Sequence, residues 1–286
     1  MITGKTGLLG VVGDPIGHSL SPLMHNAALE KLGADYVYVA FPVAAEQLKT
    51  AIEGFAAVGV RGFSVTIPHK QAIMPLLADI SPAAQAVGAV NTVWRTEQGW
   101  AGTNTDVVGF LAPLQSLNRD WTEAKTVVLG NGGAARAVVA ACAQMEMQAV
   151  HVVGRSLEKL AAFESSWQTS PLHPPLTVHA WESLTDLLSQ ADLVVNTTPI
   201  GMHPKADASP LTLELMQQVK QGAIAYDLIY TPSPTQFLTL AAQHGLTPID
   251  GLEMLVQQGA AALEIWLQQA APVDTMHQAL KQHLGL

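Results

Sequence analysis

The run Thr126-Val127-Val128-Leu129 passes without a break into Gly130-Asn131-Gly132-Gly133-Ala134-Ala135, and this stretch constrains the fold more than any other. A short, uninterrupted apolar run is the pattern of a strand buried on both faces, as in parallel sheets covered by helices. The glycines permit a tight turn, and the Ala-rich segment from Ala134 to Met145 continues as a helix. Strand, G-x-G-x-x-A turn and helix in that order open a dinucleotide-binding βαβ unit. The backbone can approach a pyrophosphate closely, and the free N–H groups of the helix start face it. A glycine-rich turn alone has a purely structural reading; its position between an apolar run and a helix gives the nucleotide reading its weight.

The next strand ends Val152-Val153-Gly154-Arg155-Ser156. A fold selective for NAD places Asp or Glu at that point to hold the ribose hydroxyls. Here no acid occurs before Glu158, and Arg155 and Ser156 offer a cation and a hydroxyl instead. That pair suits a 2′-phosphate, so the expected cofactor is NADP. The competing reading is an Arg exposed at a strand end.

Strand and helix patterns alternate along the whole chain, which predicts βαβ units and mostly parallel sheets. Strands are expected over 7–13, 36–43, 60–67 and 89–95, with helices over 21–33, 45–59 and 106–117 and short helical pieces over 70–78 and 81–87. Ser21-Pro22 is expected to cap and open the first helix. A second series has strands at 126–129, 149–153, 193–196, 223–228 and 246–249, with a surface loop over 165–175. Residues 251–286 read as wholly helical. The predicted fold class is α/β with two domains. An N-terminal α/β substrate domain has a mostly parallel sheet, a Rossmann-like doubly wound domain binds the nucleotide, and the C-terminal helices return to the first domain. The expected boundaries are 1–106 plus 251–286 for the first and 107–250 for the second, and 286 residues suffice for both.

Composition excludes several classes. A net charge of −9 with only 14 Lys and Arg argues against binding nucleic acid or anionic lipid. Cys142 is the only cysteine, so no intrachain disulfide forms and a reducing compartment is expected. Its apolar neighbours from Ala137 to Ala143 make it a buried helix residue rather than a reactive thiol. No leader-like segment and no membrane-length apolar run is seen, so a soluble cytoplasmic protein is expected. The ten histidines show no metal-ligand spacing, and no metal is expected.

Polar residues gather where strands of the first half end: Gly13 to Pro22, Thr66 to Lys70, Asn91-Thr92 and Thr103 to Asp106. Lys70 stands just past a β-branched run and behind Pro68, so it is a positioned cation able to hold a carboxylate or exchange a proton with an oxygen. In a parallel sheet the carboxyl ends of strands converge on one crevice. Hydroxyls, amides, one Lys and one Asp collected there suit a small polyhydroxylated acid. Each has a plainer reading too: Ser19 and Ser21 as helix caps, Asn91-Thr92 as a turn, Asp106 as an N-cap, and His18 and His69 as wall or structural residues.

Taken together, the motifs resemble those of the shikimate dehydrogenase family over nearly the whole length. They are G-x-P-I-x-H-S-L-S-P-x-x-H-N at Gly13–Asn26, V-T-I-P-H-K at Val65–Lys70, A-V-N-T at Ala89–Thr92 and T-N-T-D at Thr103–Asp106. G-x-G-G-A at Gly130–Ala134, N-x-T-P-x-G-M at Asn196–Met202, D-x-I-Y at Asp227–Tyr230 and D-G-x-x-M-L-V-x-Q at Asp250–Gln258 follow. The resemblance implies reversible NADPH-dependent reduction of 3-dehydroshikimate to shikimate, in aromatic amino-acid (chorismate) biosynthesis. It implies that Ser19 and Ser21 bind the substrate carboxylate, that Thr66, Asn91, Asp106 and Gln258 hold ring hydroxyls with Tyr230 nearby, and that Lys70 and Asp106 are the catalytic pair. Gly130, Asn131, Gly132, Gly133, Ala134, Arg155, Ser156, Thr197, Met202, Leu228 and Gly251 would bind the cofactor, with the nicotinamide near Met202 and Gly251. A monomer or homodimer is implied. The chain departs from the family in having Ser64 and Gly154 where Asn is usual, and Asn131 where Ala is usual.

Hydride delivery to a ketone leaves negative charge on oxygen, so a nearby cation and a proton lower the barrier, and a lysine supplies both. Two other classes stay in view: a broader quinate/shikimate dehydrogenase, and a ligand sensor that keeps the fold without catalysis. The retention of both Lys70 and Asp106 speaks against the sensor. A folate-linked methylene dehydrogenase shares the two-domain plan but gives no reason for the paired serines.

Overall fold

The apolar runs that end at Gly13 and Val65 are direct neighbours in one sheet. The computed structural model describes residues 2–286. The chain divides into two units: residues up to Gly109 with Leu255–Leu286, and Phe110–Met254. Gly251 therefore lies in the second unit, and the return to the first comes four residues later than the sequence boundary.

The first unit contains β1 (Gly7–Gly13), α1 (Ser21–Leu32), β2 (Tyr36–Pro42), α2 (Leu48–Ala57), β3 (Val60–Val65), β4 (Asp79–Ile80), α3 (Pro82–Val87), β5 (Thr92–Thr96), β6 (Gly99–Thr103) and the start of α4 (Asp106–Gln115). Its sheet runs β2-β1-β3-β5-β6-β4. β5 pairs antiparallel with both neighbours, and the other pairings are parallel. Phe63, Val65, Leu48, Ile52 and Trp100 fill one side of this sheet. Burying each such side chain contributes about 1.5–3 kcal/mol.

The second unit contains β7 (Lys125–Leu129), α5 (Gly133–Gln144), β8 (Ala149–Gly154), α6 (Leu157–Ser165), β9 (Leu176–Ala180), α7 (Leu184–Leu188), β10 (Leu193–Asn196), α8 (Leu213–Met216), β11 (Ile224–Asp227), α9 (Gln236–Gln243) and β12 (Thr247–Ile249). Its sheet order, β12-β11-β10-β7-β8-β9, is wholly parallel. This is the doubly wound order, with the topological switch between β7 and β10. The chain then runs through α10 (Leu252–Leu267) and α11 (Val273–Leu284). α11 packs on α1, and Trp266 of α10 donates its indole N–H to Val93 O at 2.9 Å.

Several elements differ from expectation. The 70–78 segment is not a helix: it makes turns and one 3₁₀ turn at Met74–Leu76, and then Ala78 N donates to Trp100 O, drawing the chain into β4. The fourth strand begins at Thr92 rather than Ala89, and β6 was missed. Glu97-Gln98 is a two-residue hairpin loop between Thr96 and Gly99, and Gly99, at φ 139°, is the one turn residue there. β9 was missed at the edge of the second sheet. Leu20 occupies the N-cap position of α1 and no side chain caps the helix; Ser21 is its first residue.

Candidate active site

The candidate site of the first unit assembles at the carboxyl ends of β1, β3 and β6. β1 sits between β2 and β3, and the segments leaving β1 and β3 are joined there, Asp14 N donating to Ile67 O at 3.0 Å. Asn91 stands at the beginning of β5 rather than at a strand end. Because β5 runs antiparallel to β3, its start lies beside the carboxyl ends of its neighbours. The antiparallel strand thus delivers Asn91 to the same edge as Lys70 and Asp106.

Lys70 Nζ donates to Asp106 Oδ2 at 2.5 Å, with the two side chains 15% and 7% exposed. A pair this buried is held by further hydrogen bonds, and Asn91 provides them. Its Nδ2 reaches Asp106 Oδ1 at 2.9 Å, Thr105 Oγ1 at 3.0 Å and Gln258 Oε1 at 3.4 Å. Its Oδ1 accepts from Thr105 N at 2.7 Å and from the Thr92 hydroxyl at 2.9 Å. The Asp106 carboxylate does not cap α4. Asn104 instead closes a turn just ahead of the helix, its Oδ1 accepting from Asp106 N at 3.0 Å. The main chain of Lys70 is fixed as well, its carbonyl accepting from Val90 N at 2.8 Å.

Ser19 and Ser21 lie where β1 passes into α1. Ser19 Oγ accepts from Ser21 N at 3.3 Å, and Ser21 is buried. Thr66 is half-buried beside Gly13. His69 is buried with Nε2 2.7 Å from Val43 O, a structural role, whereas His18 is exposed.

Behind the serines lies a layer that the sequence reading did not single out. His25, fully buried, places Nδ1 2.9 Å from Ser21 O and Nε2 3.2 Å from Gly259 O, linking α1 to α10 beside Gln258. Burial lowers its pKa to about 4 against the backbone contacts to Ser21 and Gly259. It stacks on Tyr38 at 4.1 Å between centroids, and Tyr38 donates its hydroxyl to Ser64 Oγ at 2.9 Å. Ser64, noted above as a departure from the family, thus has a defined partner. The available signal was His25 itself, inside the S-P-x-x-H-N stretch of the first motif.

In the second unit, Gly130 has φ +103°, a conformation that side chains rarely adopt, and a Cβ there would lie 2.8 Å from Thr197 Oγ1. Thr197 is anchored beside it, donating N–H and hydroxyl to Leu129 O at 3.0 and 2.8 Å. Nothing lies within 4 Å of a Cβ placed on Gly132, the N-cap residue of α5, so the turn over Asn131, Gly132, Gly133 and Ala134 leaves a polyphosphate room to approach. Arg155 is exposed just past β8, and Ser156 caps α6, its Oγ accepting from Lys159 N at 3.4 Å. The Ser156 O–H proton is not consumed by that cap. These features fit a dinucleotide with a 2′-phosphate.

Across the switch point, Asn196 and Asp227 tie two loops together. Asn196 Nδ2 donates to Asp227 Oδ1 at 3.0 Å and Ile200 O at 3.1 Å, and its Oδ1 accepts from Thr198 N and Oγ1. Asp227 also accepts from Ile229 N at 3.1 Å and the Thr235 hydroxyl at 2.7 Å. Burial raises its pKa to about 6, the hydrogen bonds from Thr235, Ile229 and Asn196 oppose the rise, and Asp250 adds to it. This knot carries the segments holding Thr197, Met202, Leu228 and Tyr230. Gly251 packs directly on this loop: a Cβ there would collide with Leu228 O, and its N–H donates to Ile229 O at 3.1 Å. Among the described residues no cluster of three His, Cys, Asp or Glu forms a metal site, and no helix is long and apolar enough to cross a membrane.

Three family models match the chain. The shikimate dehydrogenase substrate binding domain covers residues 11–93, shikimate / quinate 5-dehydrogenase covers 113–206, and the shikimate 5'-dehydrogenase C-terminal domain covers 251–281. The chain is 62% identical over 288 residues to a shikimate dehydrogenase (NADP(+)) of Trichormus variabilis, covering all of both chains. It resembles the crystal structure of a shikimate dehydrogenase in complex with NADP+ (TM-score 0.88, 36% identity, 99% and 98% of the two chains covered). It also resembles that of shikimate 5-dehydrogenase from Thermus thermophilus in complex with NADP(H) and shikimate (TM-score 0.83, 34% identity, 96% and 99% covered).

Proposed function

The chain belongs to the shikimate dehydrogenase family, and we propose that Lys70 and Asp106 are its catalytic pair. It is an NADP-dependent oxidoreductase that interconverts shikimate and 3-dehydroshikimate. The observation that carries the catalytic assignment is the buried Lys70–Asp106 contact, backed by Asn91 on the second carboxylate oxygen.

When bound, reduced NADP supplies the hydride. The ketone oxygen then gains negative charge, and Lys70 stabilises it and hands over a proton. An ammonium has three N–H donors; Asp106 takes one, leaving two for substrate oxygen. Asn91 keeps Asp106 turned toward Lys70, and Asp106, Asn91, Thr66 and Gln258 hold ring hydroxyls. Tyr230 is assigned to the same substrate. The Ser19 and Ser21 hydroxyls receive the substrate carboxylate. In the oxidation direction Lys70 takes the proton back.

The turn from Gly130 to Ala134 would hold the pyrophosphate on backbone N–H groups, and Arg155 with Ser156 the 2′-phosphate. Thr197, Met202, Leu228 and Gly251 would line the nicotinamide end. We further assign the reaction to chorismate formation for aromatic amino acids, and place the enzyme in the cytoplasm. Membership of the family supports the first, and the lone buried Cys142 accords with the second.

The test is absorbance at the nicotinamide band with shikimate or quinate, each with NADP or NAD. Shikimate with NADP should give the fastest rate. Arg155→Asp should cut the preference for NADP over NAD about tenfold or more, as expected for loss of a charge-assisted hydrogen bond. An unaltered preference would mean that the 2′-phosphate is read elsewhere.

A further inference from the structure

On the second unit, away from the residues assigned above, His151 of β8 and His179 of β9 share one face of the sheet with Thr177. His151 and Thr177 are register partners, and His179 is two residues further along the same strand, so all three side chains point the same way. Their polar atoms form a near-equilateral triangle. His151 Nδ1 is 2.8 Å from Thr177 Oγ1, Thr177 Oγ1 is 3.0 Å from His179 Nε2, and the two ring nitrogens are 3.1 Å apart. Each nitrogen makes hydrogen-bond contact with both other corners, so its in-plane axis is aimed between them. The rings meet edge to face, at 62° and 5.1 Å between centroids, which brings both nitrogens to one point without stacking.

Two ligands at right angles on a square-planar or octahedral first-row ion, each about 2.1 Å from it, stand about 3.0 Å apart, whereas a tetrahedral pair, as on zinc, stands about 3.4 Å apart. The three edges of the triangle match the right-angle spacing. We propose that His151, His179 and Thr177 form a surface site for a divalent transition-metal ion of the nickel and copper class, with water completing its shell. Imidazole nitrogen selects these ions over magnesium and calcium, which prefer an all-oxygen shell. Only two strong ligands contribute, so the site binds exchangeably at micromolar metal rather than holding a resident ion.

The charged groups around His151 bear on occupancy. Lys125 opposes a bound cation, but its ammonium is drawn to Gln190 Oε1 at 2.8 Å. β9 is the edge strand of its sheet, and a bound ion would clamp it to β8, the strand that leads into Arg155.

The experiment is calorimetric titration of the tag-free full chain with Ni²⁺ at pH 7.5, repeated with His179→Gln and with His151→Gln plus His179→Gln. The expected result is one micromolar site, weakened at least tenfold by the single substitution, lost in the double one, and lost in the wild type at pH 5.5 where protons displace the metal. With Cu²⁺ as probe, electron paramagnetic resonance should show two ring nitrogens in the wild type and one in the single variant. An unchanged isotherm in the double variant would overturn the proposal, as would no binding up to millimolar Ni²⁺. The single variant alters only a partly exposed ring, so it keeps the test decisive if the double variant folds poorly.

Discussion

The two units organise their candidate sites by different means. In the first, Lys70, Asn91, Asp106 and Gln258 come from four separate stretches and meet through side-chain hydrogen bonds. In the second, one turn between β7 and α5 presents backbone N–H groups, and the side chains behind it serve to hold loops. A single sheet strand accounts for much of the contrast. The antiparallel β5 brings Asn91 into the first site from a direction that a wholly parallel sheet does not offer. A side-chain site of this kind concentrates its chemistry in a few atoms, whereas a backbone site spreads it over a conformation.

Substitution should separate the two designs. Lys70→Ala should lower kcat by about 10²–10⁴-fold, the range for losing a general acid, with little change in folding stability. Stopped-flow or steady-state rates check it, and a near-normal kcat would remove Lys70 from the chemistry.

Acidity should act on the two units in opposite senses. His25 in the first unit is held below its ordinary value, so its contribution is present above pH 6.5 and is lost as pH falls toward 4. Asp227 in the second is held above its ordinary value, so its contribution is present below pH 3.8 and is lost as pH rises toward 6. Each amounts to roughly 3 kcal/mol from the linkage of pKa to stability. Between pH 6.5 and 4.5, His25→Gln should therefore lose less stability than the wild type and Asp227→Asn should lose more. Urea unfolding at the two pH values reads this directly, and parallel curves for all three proteins would contradict it.

Gly130→Ala strains the backbone and presses on Thr197, at a cost of about 1–3 kcal/mol. It should weaken NADP binding while leaving shikimate binding intact, as separate fluorescence titrations would show. Equal losses for both ligands would mean that the turn supports the whole fold rather than one site. The smallest effect expected is that of Ser19→Ala, about tenfold in KM for shikimate with kcat retained, the scale of one hydrogen bond to a charged group. An unchanged KM would count against carboxylate capture.

The second unit was the more legible in the sequence. Its strand, turn and helix are contiguous, and the need for glycine at Gly130 is written in the residue itself. Arg155 was likewise readable from its place after β8. In the first unit the motifs were visible but their joining was not: Asn91 was expected at a strand end and stands at a strand start, and the 70–78 segment was expected to be helical. β6 was missed although Gly99 marks its hairpin. His25 and Tyr38 went unremarked, because their partners, Gly259 and Ser64, lie 234 and 26 residues away.

The amino-acid order by itself determined the α/β class, the two-part organisation and the strand, glycine turn and helix from Thr126 on, and it singled out Lys70 and Asp106 as candidates, because each rests on short-range spacing or on residue chemistry. Only the tertiary structure decided that Asn91 braces Asp106, that His25 bridges two helices and that Asp227 knots two loops. Those contacts depend on strand direction and on the packing of distant segments, and local propensity carries no information about either.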